Sequence, residues 1–433
     1  MGMIELCAAA EKPSGYGVCV KQLTDGLAAN GIEVRPRGML HVVDRLARAE
    51  KRTRSLVQHP WGPRWEVDGE NIPARFGTKA RQFVYDHPLR PLSAESVIDE
   101  PTYRDGSVIA IGLPESADYG GANRRAVYTM WESTQLPQGF RAWAPHLRRA
   151  HVIMVPAENS REVILHDAPD MDVRIVPLGL DAADWPYVER PERDTFTFVM
   201  TGYLSVRKGF DIAYDAFWRA FEGRPDVKLV FKTRGASDMT QLRRWPKMAT
   251  IPESAGSYGY HPDSGEVTMD DARGAPLGLV KNRVRYHVVT DDPTVRILRF
   301  DWRKSAIHAL YGRADCFLWP TRGEGWGLPP REAAATGLPV ITCAHSGQAD
   351  AGEWAYVVPH KEPGKPAIFR HWGGQCGFWY EPDRDALVDM MRWVVDHRDE
   401  ARAFGQAASE TVTRRPVADV GRDILGVLDS IGS

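Results

Sequence analysis

Cysteine is scarce in this chain. The five present (Cys7, Cys19, Cys316, Cys343 and Cys376) never approach a C-x-x-C spacing. That removes the common zinc arrangements, and an odd count in a chain this long argues against a disulfide framework. A reducing, cytoplasmic setting is the expectation. Long apolar runs are missing too: no stretch reaches the ~18 residues needed to span a bilayer, so any membrane contact would be peripheral. The opening "MGMIELCAAAEKPSGYG" has no basic leader and only a short apolar run, so no signal peptide is expected. Nor is there an excess of either charge. With 55 Lys and Arg against 57 Asp and Glu, no global field recruits nucleic acid or an anionic membrane. Two local basic runs, "HVVDRLARAEKRTRSLV" (41–57) and "LRRWPK" (242–247), suit either a solvated helix face or an anionic partner. That partner would be a lipid surface or nucleic acid, for instance a hydroxymethylated base in DNA.

What the chain does have is length, tryptophan and a repeated alternation of element types. At 433 residues it exceeds one ordinary core, and two domains are expected. Tryptophan, at 14, equals tyrosine and phenylalanine, which suits sugar faces or, equally, core packing. "MIELCA", "EKPSGYG", "VCVKQLTDGLAANG" and "IEVRP" read as strand, glycine turn, helix and strand. Residues 38 to 105 show little periodicity and read as partly helical, with loops such as "QHPWGPRWEVDGEN". Apolar runs return at "SVIAIGLP", "RAVYTMWES", "AHVIMVP" and "VRIVPLGLD", as buried parallel strands should.

A second alternation starts at "TFTFVMTGYL" and runs through "FDIAYDAFWRAFEG", "VKLVFKTRG", "VRILRFDW", "SAIHALYGRA", "CFLWP", "PREAAATG" and "PVITCA". The charged, proline-bearing "WPYVERPERD" (185–194) marks the boundary. The expected domains are 1–188 and 189–395. Helices over 396–433 are placed to cross back to the first domain. A segment from Gly235 to about Asp292 interrupts the second domain and is a candidate for acceptor selection. Two doubly wound α/β domains should then face each other across a cleft.

The chemistry concentrates in "CFLWPTRGEGWGLPPREAAATGLPVIT". A strand, a loop with three glycines and a short helix follow one another there. Ligands of open α/β sheets bind at such strand ends, and a helix N-terminus suits phosphate. Glu332 is expected in the first helical turn, where it either complements the dipole or accepts hydrogen bonds from ribose hydroxyls. Glu324 lies inside the glycine loop and needs a donor partner, which sugar hydroxyls supply and phosphate does not.

Two glutamates separated by seven residues, in "EGWGLPPRE", resemble the signature of glycosyltransferase family 4, retaining enzymes of the GT-B fold. "SGYGVCVKQLTDGLAANGIEV", "VRIVPLGLD", "GYLSVRKGFDIAYDAF" and "GLPVITCAHSG" extend the resemblance over most of the chain. It implies two Rossmann-like domains around a cleft, 1–188 on the acceptor side and 189–395 on the nucleotide-sugar side, a nucleoside diphosphate sugar as donor and no metal or further cofactor. Glu332 would hold the ribose and Glu324 the donor sugar, while the backbone of Gly325, Trp326, Gly327 and Leu328 cradles diphosphate and sugar. Lys208 would neutralise the leaving diphosphate; by itself it reads as a solvated lysine at a helix start. Gly15, Tyr16 and Gly17 would approach donor phosphate and acceptor.

The chain also departs from the family. Tyr203 stands where an arginine is usual, with Arg207 as the candidate replacement. "TMWEST" offers Trp131 and Glu132 in place of a histidine. Glu132 reads either as a donor or acceptor contact or as a helix cap. The expected reaction is retaining transfer from the nucleotide sugar to a hydroxyl of a glycan, lipid or other compound. The alternatives are an epimerase or phosphorylase on the same fold, a non-catalytic sugar-nucleotide binder, and a modified DNA base as acceptor.

Overall fold

The computed structural model describes residues 3–8, 15–38, 55–59, 62–67, 70–73, 106–117, 119, 122–139, 142–233, 248–252, 275–281, 284–290, 294–299, 304–369 and 374–431. In the first lobe, apolar runs too short for helices become strands: β1 (Met3–Ala8), β2 (Glu33–Gly38), then β3 (Ser55–His59), β4 (Gly62–Val67) and β5 (Glu70–Pro73). After them come β6 (Ser107–Ile111), β7 (Arg124–Tyr128), β8 (Val152–Val155) and β9 (Val173–Ile175). The helices here are α1 (Gly15–Ala29), the single turn α2 (Ala144–Leu147) and α3 (Glu158–Asp167). A parallel sheet runs β2-β1-β6-β7-β8-β9. Its central strands β6 and β8 are buried at every position, because both faces are covered.

The second lobe repeats the plan with β10 (Phe196–Thr201), α4 (Phe210–Phe221), β11 (Val227–Thr233), β12 (Met248–Pro252), β13 (Ala275–Lys281), β14 (Val284–Thr290) and β15 (Val295–Arg299). It continues through α5 (Lys304–Gly312), β16 (Cys316–Trp319), α6 (Leu328–Ala335), β17 (Val340–Thr342), β18 (Tyr356–Val357), and the hairpin β19 (His360–Phe369) and β20 (Gly374–Pro382). The second parallel sheet runs β15-β11-β10-β16-β17-β18. Against it α4 buries Phe210, Ile212, Ala213, Tyr214, Phe217 and Phe221. Each such ring or branched side chain contributes roughly 1.5–3 kcal/mol by leaving water. Of the tryptophans, Trp131, Trp143, Trp319 and Trp354 are among the largest fully buried side chains, so at these four positions indole serves packing.

The chain closes with α7 (Arg384–Asp396), α8 (Arg398–Val412) and α9 (Val417–Ser430). Asp383 caps α7 by accepting from the amides of Asp385 and Ala386. Helix α8 packs on α6 of the second lobe, whereas α9 lies along α1 of the first. The crossing of α1 and α9 is so close that a Cβ on Gly421 would stand 1.9 Å from the Gly26 carbonyl. Val420, Ile424 and Leu428 of α9 complete the first lobe's core.

Two sequence expectations are corrected. Within 38–105 the described β3, β4 and β5 form an antiparallel sheet, so "QHPWGPRWEVDGEN", expected as loop, contributes strands, while the helical part of that expectation falls outside the described residues. Leu56, Trp65 and Ile72 come opposite one another only through cross-strand pairing, which no single segment displays. Likewise, the described part of the 235–292 interruption is an antiparallel sheet of order β12-β14-β13. Of the two basic runs, 41–54 and 242–247 lie outside the described residues. The 185–194 stretch is no loose tether either. Arg190 is buried and donates to the carbonyl of Thr336 at 2.8 Å, stapling it to the end of α6.

Candidate active site between the two lobes

Each sheet reverses its strand order at one point, between β1 and β6 in the first lobe and between β10 and β16 in the second. Crevices at such points receive ligands in open α/β sheets. The loops after β10 and β16 carry Arg207, Lys208 and the glycine segment, while α1 and the loop after β7 carry Tyr16 and Glu132.

The loop after β16 is pinned before it is functional. Arg322, wholly buried, meets Asp211 with two bonds of 2.7 Å and Glu381 with bonds of 2.6 and 2.9 Å. Burial opposes its charge, but the hydrogen bonds to Asp211 and Glu381 outweigh that and raise its pKa. The adjacent Glu324 is thereby presented to two cations. Its Oε1 accepts from Lys208 Nζ at 2.6 Å, Thr321 Oγ1 at 3.2 Å and Arg207 Nη1 at 3.4 Å. Arg207 also reaches Glu132 of the first lobe at 3.2 Å and the Gly323 carbonyl at 2.7 Å. Burial lowers the Lys208 pKa, helped by Arg207, while Glu324 opposes the shift. Its ammonium lies 4.9 Å from the centre of the Trp319 ring. Lys208 is therefore no solvated surface lysine.

A second set of bonds orients Glu324 from behind. Its amide donates to Ser346 Oγ at 3.0 Å, Ser346 Oγ lies 3.1 Å from His345 Nδ1, and His345 Nε2 lies 3.1 Å from the Thr321 carbonyl. Burial, reinforced by His360, pushes the His345 pKa down to about 3, so the ring is neutral. Only one proton order then satisfies every atom: Nε2–H donates to the carbonyl, and Nδ1 accepts from the Ser346 hydroxyl. His345 also stacks on Tyr380 at 4.4 Å.

The glycines of the loop are where the lobes meet. A Cβ on Gly323 would fall 2.0 Å from the Glu132 carbonyl oxygen, and one on Gly325 would fall 2.5 Å from Met130. Gly327 has φ +81° and caps α6. Trp326 and Leu328 turn their side chains into the first lobe's core, so from 325 to 328 the loop offers a ligand its backbone. Arg331 lies 4.0 Å over the Trp326 ring and pairs with Asp350 at 2.6 and 2.8 Å.

Glu332 stands elsewhere than expected. With Gly327 as N-cap and Leu328 as first residue, it lies past the first turn, where the helix dipole no longer explains a carboxylate. It is partly buried, and among the described residues it has no hydrogen bond or ion pair. Burial pushes its pKa up to about 7, with Lys304 pulling down and Asp184 pushing up.

On the first lobe, Gly15 opens α1, followed by Tyr16 and Gly17. The Tyr16 hydroxyl donates to the Met130 carbonyl at 3.3 Å, and its pKa is raised by burial and by Glu132. Glu132 caps no helix; it faces Arg207. Trp131 is no sugar platform, being buried against Trp143 and Phe369 at 4.6 and 4.9 Å. Tyr203 is largely exposed, and Arg207 is the residue that enters the cleft. Sequence reasoning missed Arg322, Arg331, His345, Ser346 and Asp350. "AHSG" and "PRE" lay inside the quoted segments but carried no sign of their long-range partners.

Among the described residues, no cluster of His, Cys, Asp and Glu could hold a metal ion, and no helix is long and apolar enough to cross a membrane. All five cysteines are buried.

Comparison with known proteins bears on the fold. The family model described as Family 4 Glycosyltransferase in conflict systems matches residues 261–418. The lipopolysaccharide core biosynthesis mannosyltransferase LpsB of Rhizobium meliloti is 28% identical over 174 residues, covering 39% of this chain and 44% of that protein. The matched stretch is thus less than half of that relative's length. Sucrose-phosphate synthase from Thermosynechococcus elongatus superimposes with TM-score 0.56 at 15% identity, covering 100% of this chain and 99% of that one. A UDP-forming trehalose-phosphate synthase from Burkholderia xenovorans gives 0.58 at 12%, covering 100% of both chains. These structures share one fold with the chain, two Rossmann-like lobes facing across a cleft.

Proposed function

We propose that this chain, GT-B in fold and resembling glycosyltransferase family 4, moves a sugar with retention of configuration from a nucleoside diphosphate sugar to an acceptor hydroxyl. The carrying observation is the partly buried Glu332 carboxylate, without a hydrogen bond among the described residues, on the helix that follows the loop of the Lys208–Glu324 pair. An unpaired, partly buried acid calls for hydroxyl donors, and the paired cations nearby call for an anion. A nucleoside diphosphate carries both on one molecule.

In this scheme the ribose hydroxyls donate to Glu332. Lys208 and Arg207 turn toward the diphosphate, stabilising charge that develops on the departing oxygen, with no metal needed. Glu324, held in place by Thr321 and by its amide bond to Ser346, then accepts from the sugar. The carboxylates are not an acid and nucleophile flanking one bond, because Glu332 is committed to the nucleotide. The leaving phosphate oxygen takes the acceptor proton on the same face. The contact of Gly323 and Gly325 with Glu132 and Met130 keeps water from the donor. A hydroxyl of a glycan or lipid is the acceptor we propose. Uridine donors are the first to try, since one structural neighbour is described as UDP-forming.

The test is calorimetric binding of nucleoside diphosphates and their sugars, followed by NMR of the product's anomeric proton. Binding of a nucleotide sugar, loss of it in Glu332→Ala and a retained anomeric configuration support the reading. Wild-type protein that binds none of them sinks it.

A further inference from the structure

Resting on that donor reading, we propose that Gln348 is a specificity-determining residue whose carboxamide reads a hydroxyl of the transferred sugar. Gln348 ends the turn Ser346–Gln348 that follows β17, and its side chain is 0% exposed. Neither Nε2 nor Oε1 has a hydrogen-bond partner among the described residues. A carboxamide can donate twice and accept as well, and buried groups of this kind are nearly always paired.

Its position says what could pair with it. A Cβ on Gly327 would lie 2.9 Å from Gln348 Cδ and 3.0 Å from Nε2, so the amide rests directly against the donor loop. The same turn is bonded to the sugar end of that loop, since the Gly347 amide donates to the Glu324 carbonyl at 2.8 Å. From the other lobe, helix α3 packs on the turn, and there Asn159 Nδ2 is also buried without a partner. Two orphaned amides therefore meet the seam where donor sugar and acceptor would come together.

The chemistry selects among ligands. A phosphate oxygen only accepts, and would leave Oε1 unsatisfied. A sugar hydroxyl donates and accepts, and so answers both ends of the carboxamide. Sites that hydrogen-bond a hydroxyl reject analogues lacking it far more strongly than apolar pockets do, because the protein group is then left unpaired.

The test uses the full chain and the variant Gln348→Met, similar in shape but apolar. Calorimetry compares UDP with UDP-glucose and GDP with GDP-mannose, and melting is followed without ligand. The expected result is nucleoside diphosphate affinity within about twofold of wild type and nucleotide-sugar affinity at least about tenfold weaker. The ligand-free melting point should be unchanged or higher, since an orphaned polar group is removed. Equal loss for both ligands, or no loss for the sugar, overturns the proposal; a lowered melting point with equal loss assigns Gln348 a structural role instead. Should Gln348→Met not fold, Asn159→Leu must show the same selective loss. If wild-type protein binds no nucleoside diphosphate, the donor reading fails and this inference with it. If it binds and the variant does not discriminate, only the inference fails.

Discussion

Replacing Glu332 with glutamine should separate stability from function in opposite directions. The folded carboxyl holds its proton to about pH 7, whereas an unperturbed one loses it near 4.5. Across that window the folded chain binds more protons than the unfolded chain, so stability falls as pH rises through it. The penalty is absent below pH 4.5 and complete above 7. Each pH unit is worth about 1.4 kcal/mol, giving an upper bound of about 3 kcal/mol. Partial exposure of the side chain reduces this to roughly 1–2 kcal/mol. Glu332→Gln removes the titration, so at pH 8 its melting point should lie about 1–2 °C above wild type. At pH 4.5 the two should coincide. Meanwhile the charge-assisted bond to ribose is lost, weakening nucleoside diphosphate binding by about 10–100-fold. Scanning calorimetry from pH 4 to 8 and isothermal titration at pH 8 check both arms. A variant that melts below wild type at pH 8, or binds nucleotide as tightly, refutes the placement of an unpaired, functional carboxylate.

Other outcomes follow from the contacts described. Lys208→Met should lower kcat by about 10²–10³-fold while the KM for donor changes little, because its charge acts mainly on the departing oxygen; steady-state kinetics check this. Gly323→Ala places a Cβ 2.0 Å from the Glu132 carbonyl, wedging the lobes apart. It should cut transfer by about 10–100-fold and enlarge the radius of gyration seen by X-ray scattering with donor bound. Arg322→Met leaves Asp211 and Glu381 with only the longer 3.4 Å contacts to Arg384, and should destabilise the second lobe by about 3 kcal/mol in urea unfolding.

The alternation of apolar runs and amphipathic helices was enough to place two α/β units, because parallel strands buried on both faces are continuous apolar segments that pattern alone exposes. It missed the described strands within 38–105 and 235–292, where antiparallel sheets rest on cross-strand partners such as Leu56 with Trp65. The two glutamates and the "RKG" segment could be picked out, since seven-residue spacing and a glycine loop are local features. Glu332 was expected in the first helical turn and lies beyond it, because the helix starts at Leu328 after the Gly327 cap, a boundary that tertiary contacts set.

What the chain's order of residues determined by itself was therefore the strand–turn–helix units and the chemical types at the loop after β16. The folded arrangement alone decided that Glu132 meets Arg207 across the lobes, that His345 and Ser346 orient Glu324, that burial raises the Glu332 pKa, and that the Gln348 carboxamide has no partner among the described residues. The physical reason is distance along the chain. Periodicity and capping act within a few residues, whereas Arg207 and Gly323, bonded at 2.7 Å, lie on separate strand ends that only closure of the sheet brings together.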